Sequence, residues 1–437
     1  MSTRNWAGNV TFRAPRQERP EDLATLQQLV AYSSRVRTLG TGHSFSAIAD
    51  TDGLLVSLAE LPRTLEIDQD RRVVEITGQW TYGTLAPALH RAGLALPNTG
   101  SLPHISVAGA CATGTHGSGV DNQALPASVR ALTLLLASGD LLRIDRGDPD
   151  FDGAVVALGR LGVVVAMTLD VVPTFDVAQT VVDAVPDARV ADGLEAILGA
   201  AYSASVFTTW GPERLSQIWL KELAGRNPTR ERWGGRDADG PRNPVAGMPP
   251  ENATQQLGKV GPWYERLPHF RLEFTPSSGD ELQSEYLLPM PHAHAAWRAV
   301  DAIRETVHPV LYVSELRAIA ADPLWLSLTG GVASVAFHFT WRPGPHVAAA
   351  VAALEDALAP YDARPHWGKV FSTPPERLEQ LYPRLPDFRR LVRHLDPAAT
   401  FGNDLVDGWI SLDPPRPDHP EAPWRPNRVR RAGRDGV

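Results

Sequence analysis

The first part of the chain alternates between helical and strand-like spacing of its apolar residues. Leu23, Leu26 and Val30 recur at helical spacing after a proline and acidic start. Strand-like runs follow at 35–40 and 54–58. Further along, "RVVEITG" is strand-like and "YGTLAPALHRAGLAL" is helical. This part is therefore predicted to interleave helices and strands.

A hairpin and a buried strand complete this first unit. In "VRALTLLLASGDLLRID" two apolar runs are joined by Ser-Gly-Asp, which is typical of a hairpin turn. The run "VVVAMTLDVVP" then reads as a buried strand that Pro173 ends. We expect a domain boundary directly after it, so that residues 1–175 form one domain.

The second part begins differently. Residues 225–253 are rich in Gly, Pro and Arg without any period, which predicts a long surface excursion. Apolar runs at 281–290, 310–320 and 332–341, with a helical pattern in "HAHAAWRAVDAIRETV", indicate long strands and crossing helices. This α+β domain is predicted at 176–361. Residues 362–412 are predicted to return to the site region of the first domain, and the Pro- and Arg-rich tail at 413–437 is predicted to be disordered.

Composition and charge exclude several classes of protein. A chain of 437 residues is longer than one core usually serves, which agrees with two domains. The net charge of −8 argues against nucleic-acid binding, and the single cysteine excludes a disulfide framework and a cysteine-based zinc site. No secretory leader and no membrane-spanning run are evident. We expect a soluble, cytoplasmic, monomeric protein without a membrane partner.

Two glycine-rich segments are candidates for ligand binding: "GTGHSFS" at 40–46 and "GSLPHISVAGACATGTHGSG" at 100–119. Glycines let a backbone approach a ligand and leave N–H groups free for phosphate oxygens. Neither segment is a standard nucleotide motif, because the first lacks a third glycine and no G-K-[ST] occurs. Two ordinary tight turns are the alternative, but five glycines in the second segment favour a diphosphate cradle.

Other chemistries fit these segments less well. His43, His104 and His116 lie in or beside them, but a zinc site would need helical i, i+4 spacing or a carboxylate partner, which is missing. Ser118 in "THGSG" has histidine where the nucleophile motif G-x-S-x-G has its first glycine. A metal site and a serine hydrolase therefore each lack part of the pattern that they require.

The strands of the second domain carry polar residues on one face. In "VAFHFTW" the apolar side chains share one face, and His338 and Thr340 share the other. Glu315 and Arg317 likewise share a face of their strand. Such a face is either exposed to solvent, with a weak surface ion pair, or it lines a polar pocket. Lys369, in "RPHWGKVF", belongs to a surface loop or to the same pocket.

Together these segments resemble a known family. "GTGHSFS", the second glycine segment, "SELR", "HFTW", "RPHWGKVF" and "DPAATFGND" are similar to the flavoprotein oxidases of the vanillyl-alcohol oxidase (VAO) superfamily, in the aldonolactone oxidase branch. The resemblance runs from residue 5 to about 410 and implies an α+β, two-domain FAD-binding fold of the PCMH/VAO type. Residues 1–175 would then be the FAD-binding domain and 176–361 the substrate (cap) domain.

The resemblance also implies a cofactor and its contacts. FAD would be bonded covalently to His43 through its 8α-methyl group. The residues expected to contact FAD are Thr38, Leu39, Gly40, Thr41, Gly42, His43, Ser44, Ser101, Ser106, Gly109, Thr113, Gly114, Thr115, His116, Gly162, Val164 and His366.

The implied reaction is oxidation of the terminal hydroxyl of alditols such as xylitol and sorbitol to the aldehyde, with O2 reduced to H2O2. The implied substrate-binding residues are Ser101, Glu315, Arg317, Thr340 and Lys369, and the catalytic residues are Arg317, Lys369 and His338. Gly100, a small residue expected beside the flavin, favours an oxidase. The alternatives are a dehydrogenase of the same fold with another electron acceptor, and a carbohydrate-binding or flavin-storage protein.

Overall fold

The computed structural model describes residues 3–274 and 280–412, so the tail predicted at 413–437 lies outside the described residues. The strands are β1 Arg16–Glu18, β2 Val36–Thr38, β3 Leu54–Val56, β4 Leu65–Asp68, β5 Val73–Thr77, β6 Leu94–Ala95, β7 Gly119–Gln123, β8 Val129–Leu135, β9 Leu141–Asp145, β10 Val163–Asp170, β11 Val172–Pro173, β12 Asp176–Pro186, β13 Ser203–Thr208, β14 Leu215–Leu223, β15 Arg236–Asp237, β16 Val260–Pro262, β17 Leu282–Pro289, β18 Leu311–Ala320, β19 Ser334–Trp341 and β20 Arg364–Pro365. The α-helices are α1 Leu23–Ala31, α2 Tyr82–Arg91, α3 Val107–Ala112, α4 Phe151–Ala154, α5 Asp187–Leu198, α6 Ala293–Ala302, α7 Arg304–Val307, α8 Val347–Leu358, α9 Pro375–Leu381, α10 Leu385–Leu395 and α11 Asp404–Trp409.

The first part of the chain forms small sheets with the predicted helices around them. Strands β1, β3 and β2 form a parallel sheet in that order, and β4-β5-β10-β8-β9 form an antiparallel one. The predicted hairpin is confirmed, because β8 and β9 pair from Leu135 to Leu141 and Gly139 takes a positive φ of 87° in the turn.

Helix α1 shows how local sequence sets these elements. Asp22 caps its start by accepting a hydrogen bond from the Thr25 amide at 2.7 Å. Leu26 and Val30 are fully buried, as the helical spacing predicts, whereas Leu23 at the first turn is 37% exposed.

A ten-stranded sheet dominates the second part. Its main order is β15-β12-β14-β13-β18-β19-β17-β20, with β16 paired to β12 and β7 paired parallel to β18. One face of the sheet packs its apolar side chains against α5, α6 and α8, where Leu194, Trp297 and Leu354 belong to the same buried cluster. The other face is turned towards the first part of the chain.

The last described segment returns to the first part. Leu378 and Phe388, from α9 and α10, are buried in the core that the first part builds. Arg160 forms buried ion pairs with Asp396 and, at 2.7 Å, with Asp407. The proposed domain limits stay a prediction, and the change from one sheet to another at β12 supports the boundary at 175/176.

The excursion at 225–253 is only partly a surface feature. It contains β15 and a short 3₁₀ turn at Pro250–Asn252, but otherwise no regular element. The prediction that it lies on the surface is wrong for Val245 and Ala253, which are buried in one cluster with Val181, Phe207 and Val313. Two isolated apolar residues leave no periodic signal, so spacing could not identify them.

None of the helices in the described ranges is long and apolar enough to cross a lipid bilayer.

Candidate active site

A cavity of about 460 Å³ lies where the two glycine segments face the polar side of the large sheet. We call residues 38–46 the first loop and residues 100–119 the second loop. Every residue that the sequence predicts for the site lines this cavity except Gly114. Gly114 instead takes a positive φ of 72° just after α3, where a Cβ atom would lie 3.2 Å from Leu328. It therefore sets the backbone conformation of the second loop without contacting the cavity.

The two loops approach each other so closely that side chains would not fit. A Cβ atom on Gly40 would lie 2.4 Å from the hydroxyl of Ser106 in the second loop, and within that loop one on Gly109 would lie 2.6 Å from the same hydroxyl. The Ser106 amide donates to the Thr41 hydroxyl at 3.2 Å. The amide groups of residues 40–44 donate to no acceptor among the described residues. A run of unused N–H groups beside glycines suits an anionic ligand such as a diphosphate.

His43 sits in the first loop with a neutral ring. It stacks on Trp6 with ring centroids 5.2 Å apart, and His104 lies 6.3 Å away. Burial, with a smaller contribution from His104, lowers the pKa of His43 to about 4. Its Nδ1 atom is buried without a hydrogen-bond partner in the described structure. The ring is therefore an uncharged base with one nitrogen unused.

The wall of the cavity that faces the two loops is the polar side of the large sheet. It is charged, and Glu285 lies at its centre. Its Oε1 accepts from Arg317 Nη2 at 2.6 Å, and its Oε2 accepts from Lys369 Nζ at 2.6 Å. His116 Nε2 lies 3.3 Å from Oε1. Burial alone would raise the pKa of Glu285, but Lys369, Arg317 and His116 together hold it well below its usual range. Glu285 is thus an ionised carboxylate between two cations.

Strand register brings the polar side chains of this wall together. His338 of β19 stands opposite Glu285 of β17 on one side and opposite Glu315 of β18 on the other. Their neighbour Thr340 also lines the cavity. The predicted alternation is confirmed, and the alternative of a solvent-exposed face is wrong, because none of these four residues is more than 8% exposed.

Arg317 connects the sheet to the second loop. Its Nη1 donates to the Ser101 hydroxyl at 3.2 Å, and its Nε lies 3.6 Å from Glu315 Oε1. Burial opposes its charge, but Glu315 and Glu285 outweigh that effect and raise the pKa of Arg317. Burial lowers the pKa of Lys369, although Glu285 counteracts it. The predicted substrate residues Ser101, Glu315, Arg317, Thr340 and Lys369 therefore share one cavity.

The hydrogen bonds of His338 identify which ring nitrogen carries the proton. Gln283 donates its amide to Glu281, so its Oε1 accepts from His338 Nε2 at 3.1 Å. Nδ1 is then the unprotonated nitrogen, and it is buried without a partner among the described residues. Burial, followed by Lys369, lowers the pKa of His338 to about 3. This ring is neutral, and its Nδ1 is free to accept a hydrogen bond.

Several cavity residues are absent from the sequence prediction. Glu285 and Gln283 share a face of β17, and the alternation that identified His338 could have found them. His269, whose Nε2 lies 2.7 Å from Glu315 Oε1, and Val245 come from segments without a period. For these two residues the sequence offers no comparable signal.

The geometry excludes two of the alternatives for the loops. The described groups that could together hold a metal are His116, Glu285 and His366, not the three loop histidines, and both Glu285 oxygens are already bound by cations. Ser118 is buried and donates its hydroxyl to the Ala204 carbonyl, so it is not available as a nucleophile.

Comparisons with known proteins agree with this arrangement. A family model described as "FAD binding domain" matches residues 17–145, and one described as "D-arabinono-1,4-lactone oxidase" matches residues 280–409. The chain is 50% identical to alditol oxidase from a Streptomyces species over 92% of this chain and 99% of that protein. It is 28% identical to L-gulono-1,4-lactone dehydrogenase from Mycobacterium tuberculosis over 92% of this chain and 97% of that one.

A solved structure is similar to most of the chain. Cholesterol oxidase from B. sterolicum aligns over 94% of this chain and 96% of its own, with a TM-score of 0.74 and 14% identity. At this level of identity the likeness concerns the fold, which is the two-domain α+β FAD-binding type expected from the sequence.

Proposed function

Because the chain belongs to the alditol oxidase family, in the aldonolactone oxidase branch of the VAO flavoproteins, we propose that it oxidises the terminal hydroxyl of an alditol. The products are the aldehyde and, from O2, hydrogen peroxide. Xylitol and sorbitol are representative substrates. The observation that carries this proposal is the cavity in which a neutral loop wall faces a wall of paired charges.

The loops fit FAD, which when bound supplies the two-electron acceptor for the alcohol and passes the electrons on to oxygen. The free amides of residues 40–44 and the close approach of Gly40 and Gly109 to Ser106 suit its diphosphate. We propose that His43 holds it covalently through the 8α-methyl group. The neutral ring and its unpartnered Nδ1 support this role.

The sheet wall suits a substrate that offers only hydroxyl groups. Glu315 accepts hydrogen bonds, Arg317 and Lys369 donate them, and Thr340 does either. Glu315, Arg317 and Thr340 are buried and the Lys369 side chain is only 13% exposed, so a substrate without a matching hydroxyl leaves a polar group unpaired away from solvent. Such a mismatch discriminates strongly between alcohols.

We propose that His338 takes the proton of the reacting hydroxyl at Nδ1. This nitrogen is the unprotonated one and has no other partner among the described residues. Arg317 and Lys369 stabilise the negative charge that develops on the oxygen, and Glu285 fixes both cations in place through its two oxygens.

We also propose that the protein works as a monomer in the cytoplasm. A single, buried cysteine needs no oxidising compartment. Gel filtration should then give a mass near 47.5 kDa.

The central test is peroxide production by the purified protein with xylitol. Peroxide formed in proportion to xylitol consumed supports an oxidase. Activity only with an added artificial electron acceptor would instead support the dehydrogenase alternative. A protein that binds polyols without turnover would leave only a binding function.

The covalent bond is tested by denaturing His43→Ala with acid and inspecting the pellet. We expect wild type to give a yellow pellet and His43→Ala a colourless one. His104→Ala is the matched control, because His104 is the neighbouring loop histidine and should leave the pellet yellow. A yellow pellet from His43→Ala would show that the link lies elsewhere.

A further inference from the structure

A row of three buried side chains ends at His338, the residue that takes the proton in the proposed reaction. The Glu281 carboxylate accepts a hydrogen bond from Nε2 of Gln283, and Oε1 of Gln283 lies 3.1 Å from Nε2 of His338. None of the three is more than 8% exposed. Gln283 and His338 line the cavity and Glu281 does not, so Glu281 acts on a substrate only through Gln283.

The register of the sheet assembles this row. Glu281 immediately precedes β17 and Gln283 is the second residue of that strand, so the two side chains lie on one face, as alternate residues of an extended chain do. Gln283 stands opposite Thr340 of β19, and Glu285 stands opposite His338. Gln283 therefore meets His338 along a diagonal between the strands, a distance that a long side chain can span.

Glu281 decides which way round the Gln283 amide lies. A carboxylate only accepts hydrogen bonds, so the NH2 group of Gln283 faces Glu281 and the carbonyl faces His338. The carbonyl in turn only accepts, so His338 must carry a proton on Nε2. Burial, followed by Lys369, lowers the pKa of His338 to about 3, so the neutral ring holds no second proton. The row thus leaves Nδ1 unprotonated and holds the ring at Nε2.

A second row of the same kind lies in the same sheet, away from the cavity. Asp183 accepts a hydrogen bond from Nε2 of Gln217 at 2.8 Å, and Oε1 of Gln217 accepts one from Nε1 of Trp219 at 2.6 Å. An indole nitrogen only donates, so this row has one possible direction. None of its three residues lines the cavity. A carboxylate and a ring N–H therefore orient a glutamine between them in both rows, and Gln217 provides a matched control.

The direction of the first row matters because a histidine acts as a base only at the nitrogen that lacks a proton. Without Glu281, the Gln283 amide can turn and present its NH2 group to Nε2 of His338. The ring proton would then move to Nδ1, which could no longer accept a proton from a hydroxyl. A third group that holds the tautomer and the orientation of a catalytic histidine is a general feature of such sites.

We propose that Glu281 and Gln283 are positioning residues for the oxidation, which keep Nδ1 of His338 unprotonated for the proton of the reacting hydroxyl. This role rests on the proposed function, in which His338 is the base. It goes beyond that function because it assigns part of the rate to Glu281, a residue that does not line the cavity.

The test measures the reduction of bound flavin by xylitol in the absence of oxygen. We expect Glu281→Met and Gln283→Met to slow the limiting rate of reduction about tenfold, the effect of losing one well-placed hydrogen bond, while the xylitol concentration for half-maximal rate changes about twofold at most. Glu281→Gln keeps a carbonyl acceptor for Gln283 and should stay within about twofold of wild type. Gln217→Met, which breaks the second row, should leave both values unchanged.

A spectroscopic measurement separates positioning from a general loss of structure. Nitrogen NMR of the holoenzyme with isotope-labelled histidine reports which ring nitrogen carries the proton, and His338→Gln identifies the signals of His338. We expect the ring to be protonated on Nε2 alone in wild type and in Glu281→Gln, whereas in Glu281→Met the proton is shared between the two nitrogens. Should Glu281→Met fail to fold, Gln283→Met against Gln217→Met still tests the role.

The outcomes distinguish this proposal from the proposed function. A raised half-maximal xylitol concentration in Gln283→Met, together with wild-type reduction in Glu281→Met, would show that Gln283 binds the substrate directly and would overturn the positioning role. Equal reduction rates in Glu281→Met and Glu281→Gln, or an unchanged tautomer in Glu281→Met, would also overturn it. Alditol oxidation would stand in each of these cases. Wild-type flavin that no alditol reduces would overturn the proposed function and the positioning role with it.

Discussion

The two walls of the cavity bind by different means. The loop wall, built from the first and second loops, presents backbone amides and a histidine whose pKa is lowered to about 4. The sheet wall, built from β17, β18, β19 and Lys369, presents charges that are paired with each other. The loop wall depends on close approach, so we expect it to be sensitive to added volume. The sheet wall depends on charge balance, so we expect it to be sensitive to a lost charge.

The pairing of the sheet wall also explains why its charges can be buried. Each ion that leaves water must be compensated by nearby opposite charge and hydrogen bonds. Arg317 lies between two carboxylates, and Glu285 lies between two cations. Buried networks of this kind add little stability but fix geometry, which is what hydroxyl recognition requires.

Removing the central charge should have the largest effect. Glu285→Gln leaves Arg317 and Lys369 buried without their shared carboxylate. We expect the free energy of unfolding to fall by about 3–5 kcal/mol, as for other broken buried pairs, with activity lost as well. Urea unfolding measures this change. Glu379→Gln breaks an ion pair with Arg389 in which the Glu379 side chain is 48% exposed, and it should cost about 1 kcal/mol or less. Equal losses in both variants would contradict the charge-balance interpretation.

Adding one methyl group to the loop wall should have the next largest effect. A Cβ atom on Gly40 would clash with the Ser106 hydroxyl at 2.4 Å. Because the proposed link to His43 is covalent, we expect Gly40→Ala to act on FAD uptake, weakening the initial FAD complex by about 1–3 kcal/mol, a typical effect of overpacking, and so to lower the flavin content of the purified protein. Absorbance spectroscopy measures that content. Gly408→Ala, where no atom lies within 4 Å of the new Cβ atom, should retain the wild-type content.

Gly100 tests whether the loop wall also governs access of oxygen. A Cβ atom there would meet Ile105 and Thr115 at an ordinary 3.6 Å, so a small side chain fits and a large one fills the cavity edge. We expect Gly100→Leu to slow reoxidation by oxygen about tenfold, or about 1.4 kcal/mol in barrier, while reduction by xylitol changes less. Stopped-flow absorbance separates the two half-reactions, and Gly100→Ala is the graded control. Unchanged reoxidation would remove Gly100 from the oxygen path.

The last prediction concerns pH and the lysine behind the sheet wall, and its effect is spread over several pH units. Burial lowers the pKa of Lys221 from 10.5 to about 7, despite the opposing effect of Glu315. Between these values the unfolded chain binds a proton that the folded chain does not, so this group makes the folded protein more stable as pH rises. The slope is at most about 1.4 kcal/mol per pH unit. Lys221→Met should remove this pH dependence. Urea midpoints of the wild type should therefore rise relative to those of Lys221→Met as the pH increases across that window. Midpoints that stay a constant distance apart would contradict the prediction.

The sequence predicted much of the sheet wall because strands follow a simple rule. Alternation along "VAFHFTW" and "VSELRA" correctly assigned the cavity faces of His338, Thr340, Glu315 and Arg317. The hairpin turn at Gly139 was also predicted correctly, because the Ser-Gly-Asp sequence that indicates it lies in the turn itself. In such segments the side chain's direction is a property of the strand itself.

The parts that could not be predicted depend on distant segments. Glu285 is defined by partners 32 and 84 residues further along, at Arg317 and Lys369. Lys221 of β14 comes close to Glu315 of β18 only because β13 pairs with both strands, and His269, which bonds both residues, comes from an irregular segment. Val245 is apolar in a segment whose composition indicates a loop. A single sequence contains the residues but not the pairing that gives them their roles.

The pairing of β7 with β18 determines when the cofactor site can form during synthesis. β7 ends the second loop, yet its partner strand is translated almost two hundred residues later. The first loop is completed later still, because the Phe45 amide donates to the Gly368 carbonyl at 2.7 Å. Contacts so distant along the chain form slowly. A ribosome-bound chain stalled before residue 368 should therefore carry no flavin, so that cofactor attachment is among the last steps of maturation.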